Sequence, residues 1–160
     1  VCNVDEASAA VGNAYSARVA EMAATKGAEA VVISAAIESE LATLDADDQQ
    51  PCLAEIGLEE PGLHRFIHTG SSLLGLITFS TAGPKESRAW TVPAGAKAPQ
   101  AAGTIHGDFE RGFICAETIG YGDFIAAGGE AAAKDAGKMR LEGKEYVVKD
   151  GDVMHFRFAT

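Results

Sequence analysis

The chain has 160 residues, 47% of them hydrophobic and 22% charged, with a formal net charge of −10. That apolar content supports a packed core and excludes a disordered chain, and the length fits one domain or one and a half. No apolar run reaches the ~20 residues that a membrane-spanning helix needs, and no charged-then-apolar signal segment opens the chain.

Cys2, Cys52 and Cys115 form no CxxC or CxxH pattern. Scattered single cysteines point to a reducing cytoplasm and to buried thiols acting as small hydrophobes. Val1 is not an initiator Met, so the natural protein is expected to start earlier. The charge is unevenly placed. Residues 1–60 hold twelve acidic and two basic side chains (Arg18 and Lys26), whereas residues 61–160 are neutral. The first part repels phosphate backbones, and only the second tolerates them.

Val1-Cys2 reads as the end of a strand, followed directly by Asn3-Val4-Asp5-Glu6. Tyr15, Val19, Met22 and Ala23 recur at helical spacing, and Gly27 closes that helix. Ala30-Val31-Val32-Ile33 predicts a short buried strand. Ser34 is placed to cap a helix carrying Ile37, Leu41 and Leu44. Strand, loop, helix, strand, loop, helix is half of a parallel α/β sheet. Ala46 to Gln50 reads as an acidic, polar break. Pro51 then starts a short helix that Gly57 ends, and Pro61 starts another that Gly75 ends.

From Leu76 the period becomes two. Ile77 and Phe79 alternate with Thr78 and Ser80, Ala82-Gly83-Pro84-Lys85 turns the chain, and Arg88, Trp90 and Val92 alternate on the return strand. Pro99 suits the first turn of a short helix holding Ala98, Ala101, Ala102 and Ile105, which Gly107 is placed to end. Phe113 to Ile119 is the next strand, and Gly120 to Met139 reads as two helical pieces. Tyr146-Val147-Val148, a turn at Asp150-Gly151, and Val153 to Phe158 form a closing hairpin, with Met154, Phe156 and Phe158 inward and His155 and Arg157 outward. The expected core of this part is Ile77, Phe79, Trp90, Val92, Ile105, Ile114, Met154, Phe156 and Phe158. Hairpin, helix, strand and closing hairpin is a β-grasp order.

Several of these segments carry a resemblance. KAPQAAGTIHGDFERGFICAE at 97–117 and DGDVMHFRF at 150–158 resemble the TGS domain of the YchF subgroup of Obg-family P-loop nucleotide hydrolases. GLEEPGL at 57–63, TAGPKE at 81–86, RAWTVPAG at 88–95 and EAAAKDAGKMRLEGKEY at 130–146 are similar to the same family. The resemblance implies an α+β chain. Residues 1–56 are expected to be the truncated α/β end of a P-loop nucleotide-binding domain, 57–75 a helical connector, and 76–160 a TGS domain of β-grasp, ubiquitin-like fold. It also implies a parent ATPase or GTPase that uses ATP or GTP with Mg²⁺, associates with ribosomes or RNA in the cytoplasm, and has no membrane partner.

The resemblance implies a nucleotide-binding role for Asn3, Val4, Glu6, Ser34, Ala35 and Ala36. The Asn3-Val4-Asp5-Glu6 loop looks like the N-x-x-E form of the base-reading loop of P-loop GTPases, in which Asp reads guanine. Glu6 is one methylene longer than that Asp and Val4 replaces Lys, so ATP is implied as well as, or instead of, GTP. Asn3 either hydrogen-bonds the base or braces the loop, Val4 packs on the base, and backbone N–H groups of residues 34–36 reach its edge. The chain contains no G-x-x-x-x-G-K-[ST] segment. Phosphoryl transfer needs that cradle and its metal, so no catalytic residue is assigned and the chain alone is expected to be inactive.

Lys134, Lys138, Arg140, Lys144 and Lys149 are the candidate RNA or ribosome contacts, with a solvated face as the bland alternative. His64 and His68 have metal-ligand spacing, but Arg65 stands between them and no third ligand is evident, so no metal site is assigned. His106 is expected to make a turn contact, with Asp108 bracing its loop. Trp90 beside Arg88 is either a stacking platform or a half-core residue. The rival function, of another class, is a non-enzymatic β-grasp module that binds RNA or a protein.

Overall fold

The computed structural model describes residues 1–83 and 86–159. The chain divides into two units, Val1–Leu74 and Gly75–Thr160.

In the first unit, β1 (Cys2–Asn3) and β2 (Val32–Ile33) pair in parallel, Cys2 with Val32 and Asn3 with Ile33. Between them lies α1 (Ala14–Thr25). Its start is fixed by a reciprocal cap: the Asn13 side chain accepts from the N–H of Tyr15 and Ser16, and Ser16 Oγ accepts from the Asn13 N–H. The buried face differs from the expected stripe. Ser16 and Ala23, two turns apart, are buried, whereas Tyr15 is 78% and Met22 52% exposed. The helix seats on its smallest side chains, which allow the closest approach.

Helix α2 (Ala35–Leu41) follows β2 directly, and α3 (Ala46–Glu55) comes next. The expected polar break at 46–50 is therefore helical, and Pro51 lies inside α3 rather than at its start. Asp47 and Asp48 in its first turn favour the positive helix end. Leu53 anchors it in a small core with Ala9, Ile37, Leu41 and Leu58. Helix α4 (Gly62–Leu73) starts one residue after Pro61. Glu38 of α2 closes its first turn: Oε1 accepts from the Gly62 N–H at 2.7 Å and Oε2 from the Leu63 N–H at 3.3 Å. Gly62 is needed there, because a Cβ would stand 2.8 Å from both Ile33 Cγ2 and Glu38 Oε1.

The second unit is a five-stranded sheet crossed on one face by helices. Strands β3 (Leu76–Ala82) and β4 (Ser87–Pro93) form the expected hairpin, paired from Leu76–Pro93 to Ala82–Ser87. Pro84 and Lys85 of its turn lie outside the described residues, and the flanking Gly83 N–H donates to Glu86 O at 3.0 Å. Helix α5 (Ala98–Ile105) starts with Pro99 in its first turn. Gly107 does not end the helical region as expected. It opens a further short helix, α6 (Gly107–Arg111), after a bend at His106.

Strand β5 (Phe113–Gly120) leads to α7 (Tyr121–Ala127), α8 (Glu130–Asp135), β6 (Arg140–Glu142) and β7 (Asp152–Phe158). The strand order is β4-β3-β7-β5-β6, with β7 parallel to β3 and antiparallel to β5. Ala98, Ala101 and Ala102 of α5 pack on Phe79, Val92, Phe113, Ala116, Met154 and Phe156 of the sheet. Phe156 meets Phe79 and Phe113 edge-on, with ring centroids 5.8 and 6.2 Å apart. Gly112 is a site of close approach, since a Cβ there would fall 2.0 Å from Ala159 O.

Two sequence expectations are corrected here. The strand before β7 is Arg140–Glu142, paired with β5, and not Tyr146–Val148. Residues 146–148 are instead tied to the approach to α5: the Ala98 N–H donates to Tyr146 O and the Val148 N–H to Ala96 O, both at 2.9 Å. Ile114 is 57% exposed, not core. A register shift between Phe113 and Cys115 inserts it as an extra residue, so Phe113 and Ala116 both face inward while Ile114 does not.

Candidate functional site

The parallel pairing of β1 and β2 brings the two loops that leave them side by side. Asn3 Oδ1 accepts from the Ala35 N–H at 2.9 Å, and the Val4 N–H donates to Ile33 O at 2.9 Å. Of the two roles open to Asn3, the structure displays the brace: its carboxamide oxygen caps the start of α2, and its NH₂ group remains for another partner. Ser34 occupies the N-cap position, yet its side chain makes no capping bond. Its Oγ is buried without a hydrogen-bond partner among the described residues. The expectation that Ser34 caps α2 through its hydroxyl is therefore corrected, and Asn3 supplies that bond from 32 residues away.

The Ala35 N–H is consumed by this bond, which leaves the first-turn N–H of Ala36 as the donor at that edge. Ala35 and Ala36 are exposed and Val4 is half-buried. Asp5 caps a short turn of helix at Glu6–Ser8, its Oδ1 accepting from the Ser8 N–H at 2.9 Å, and Glu6 stands exposed in that turn. Asp5 was not singled out by sequence reasoning; the signal available was Asp three residues before Ser, an Asx-type cap.

In the second unit, only part of the five-residue basic set converges. Lys138, Arg140 and Lys149 line one cleft of 650 Å³, together with Asp123, Asp150, Asp152 and several glycines. Lys134 and Lys144 do not line it. Lys138 pairs with Asp123 at 3.2 Å. Arg140 reaches Glu142 at 3.6 Å and the buried Asp152 at 3.4 Å. Asp152 also accepts from the Tyr146 hydroxyl at 2.7 Å and the Lys149 N–H at 2.9 Å. Burial and then donation to Asp152 push the Tyr146 hydroxyl up to about 12. Arg140 is therefore committed to holding a buried carboxylate, and the cleft is charge-mixed rather than purely basic.

His106 and Asp108 act within their own loop. His106 Nδ1 accepts from the Asp108 N–H at 3.2 Å, and Asp108 pairs with Arg111. Trp90 is half-buried, with Nε1 donating to Thr81 Oγ1 at 3.0 Å and the Arg88 guanidinium 4.3 Å over its ring. His64 and His68 are both exposed on α4. Among the described residues, no group of three His, Cys, Asp or Glu side chains is placed to hold a metal ion. No helix there is long and apolar enough to cross a membrane.

Comparison with known proteins places the chain in a family. The model described as "YchF-GTPase_C: Protein of unknown function (DUF933)" matches residues 76–159. The chain belongs to the YchF family. It is 56% identical over 160 residues to the Ribosome-binding ATPase YchF of Bacillus subtilis, covering 99% of this chain and 44% of that protein. It is 60% identical over 146 residues to the Ribosome-binding ATPase YchF of Pasteurella multocida, covering 91% of this chain and 40% of that protein. Among solved structures it resembles the Schizosaccharomyces pombe YchF GTPase with a TM-score of 0.74 and 34% identity, over 91% of this chain and 39% of that one. The chain thus spans less than half the length of these relatives. Its mixed helix-and-sheet architecture is that of the YchF structure.

Proposed function

We propose that this chain is the C-terminal part of a ribosome-associated nucleotide hydrolase that takes ATP at least as readily as GTP and works in the cytoplasm. In this reading residues 1–56 end the nucleotide-binding domain, 57–75 connect, and 76–160 form the TGS domain. The observation that carries it is the 2.9 Å bond from the Ala35 N–H to Asn3 Oδ1, which locks the loops after two parallel strands against each other. A pair of loops fixed in this way forms one edge of a base pocket. Asn3 keeps its NH₂ as a donor, Val4 offers an apolar flank, and Ala36 offers an N–H. Glu6 replaces the Asp that reads guanine and Val4 replaces Lys, so this edge has no basis for strong selection of guanine.

These residues fit the base end of a nucleotide. The phosphate end has no counterpart in the chain, which contains no G-x-x-x-x-G-K-[ST] segment. Mg²⁺ with the triphosphate supplies charge stabilisation during phosphoryl transfer. The names of the B. subtilis and P. multocida relatives support the ribosome as partner. For that contact the exposed Lys138 and Lys149 are the better candidates, because Arg140 is held by the buried Asp152, whereas the partner of Lys138, Asp123, is itself exposed to solvent.

The test uses the full-length protein. ATP and GTP should compete without a strong preference for GTP, and Glu6→Asp alone should not create one, because Val4 remains. Asn3→Ala should weaken both nucleotides together, since it frees the loop rather than changing what the base meets. A clear GTP preference in the parent protein overturns the reading of this loop. For the partner, Lys138→Glu with Lys149→Glu should reduce co-sedimentation with ribosomes, more at low salt than at high salt. Unchanged pelleting at both salts removes this cleft from the ribosome contact.

A further inference from the structure

The two edges of the five-stranded sheet are unlike. Edge strand β6 has three residues, two of them Arg140 and Glu142. Shortness and charge blunt such an edge against further pairing. Edge strand β4 has seven residues, no internal proline and one charge, Arg88.

The hydrogen bonds at its two ends fix which backbone groups of β4 are free. The Ala94 N–H donates to Gly75 O at 2.7 Å, and the Gly83 N–H to Glu86 O at 3.0 Å. In an antiparallel ladder, hydrogen-bonded pairs recur at every second residue. With the observed register, the pairs Ile77–Val92, Phe79–Trp90 and Thr81–Arg88 exchange those bonds. The backbone groups of Arg88, Trp90 and Val92 therefore point to β3, and those of Ser87, Ala89 and Thr91 point away from it. All three outward residues are small and exposed. None has a backbone partner on that side among the described residues.

The neighbouring surface has a definite chemistry. A cleft of 520 Å³ opens beside β4, lined by Glu86, Arg88, Trp90, Ile105, Phe109 and Phe158 among others. Arg88 is exposed and lies over Trp90, with no carboxylate partner among the described residues. We propose that the free edge of β4 receives an extended acidic peptide from a protein partner. The peptide adds as a sixth strand, with a carboxylate beside Arg88 and an apolar side chain against Trp90.

The chemistry selects this occupant. Strand addition satisfies the outward N–H and C=O groups, and the pockets for alternate side chains give specificity. A nucleic acid has no repeating donor–acceptor pattern at strand spacing to match them. A second copy of β4 brings another Arg88 and no carboxylate of its own.

The test titrates the isotope-labelled 160-residue chain with a ten-residue peptide in which every second residue is threonine and the positions between them are glutamate and valine in turn, so that one face of the strand carries both, and with the same peptide carrying lysine for glutamate. Amide exchange at Ala89 and Thr91 is expected to slow roughly tenfold or more at saturation with the acidic peptide. Exchange at Arg88, Trp90 and Val92, already bonded to β3, is expected to stay as it was. Ala89→Pro removes one outward donor at an edge position that tolerates proline, and should abolish the protection. If that variant does not fold, Arg88→Glu serves instead: it should weaken the acidic peptide several-fold and favour the lysine peptide. Equal binding of both peptides by the parent chain overturns the proposal. So does protection without peptide that grows with protein concentration, which marks self-pairing. Protection of the same amides by an oligouridine RNA in preference to the peptide also overturns it.

Discussion

The two units of this chain are held together by different means. In the second, four of the five strands and α5 close around one set of side chains from Phe79 to Phe156, many of them fully buried. In the first, the sheet is two strands of two residues each. A sheet that small adds little stability by itself. What holds the first unit is a five-residue apolar cluster and two long-range side-chain caps, Asn3 on α2 and Glu38 on α4. The lesson is one of energetics: the second unit should fail by cavity formation, the first by loss of single polar contacts.

The largest effect tests the core side of that contrast. Phe156→Ala removes a ring held edge-on by Phe79 and Phe113 and should cost ~3–5 kcal/mol. Urea unfolding followed by Trp90 fluorescence, which reports the second unit alone, measures it. A loss under about 1 kcal/mol would mean that this side of the sheet is not a close-packed core.

A smaller effect tests the capped side. Glu38→Ala leaves the Gly62 and Leu63 N–H groups without their acceptor and should cost about 1–3 kcal/mol. Exchange of the α4 amides should speed up, while those of β3, β5 and β7 hold. If the second unit's amides speed up equally, the two units do not differ in this way.

The same contrast explains what was legible in the sequence. Ile77 and Phe79 alternating with Thr78 and Ser80 announced β3 because a half-buried strand needs that period, whereas the α+β class came with the family resemblance. Asn3 was legible because its loop sits between two apolar strands, although its bond to Ala35 was one of two options. Ile114 was misplaced because a bulge is a property of pairing, not of the run Phe113-Ile114-Cys115. Val147-Val148 read as a strand by propensity, yet the bonds from Val148 to Ala96 and from Ala98 to Tyr146 assign that stretch elsewhere. Glu38 was invisible as a cap because its acceptor role spans 24 residues. The basic set read as a cluster because sequence shows cations more readily than it shows that Asp123, Asp150 and Asp152 fold among them.

The smallest effect at neutral pH concerns a polar contact inside the second unit, an exception to its apolar rule. The Tyr146 hydroxyl donates to Asp152 Oδ2 at 2.7 Å. Burial first, then that hydrogen bond and the Asp152 charge, raise it from 10.0 to about 12. In the unfolded chain the hydroxyl ionises near 10, while the folded chain keeps its proton to about 12. Between these values the unfolded state binds fewer protons, so stability is fully present below pH 10 and falls as pH rises towards 12. Tyr146→Phe should flatten that part of the stability curve, and the difference between the two proteins isolates this hydroxyl from other groups that titrate there. The phenolate absorbance of the folded parent should show one of its three tyrosines ionising late. If all three ionise together near pH 10 in the folded protein, the Tyr146–Asp152 bond does not persist in solution. Arg140 and the Lys149 N–H would then be the partners that hold the buried Asp152 in place.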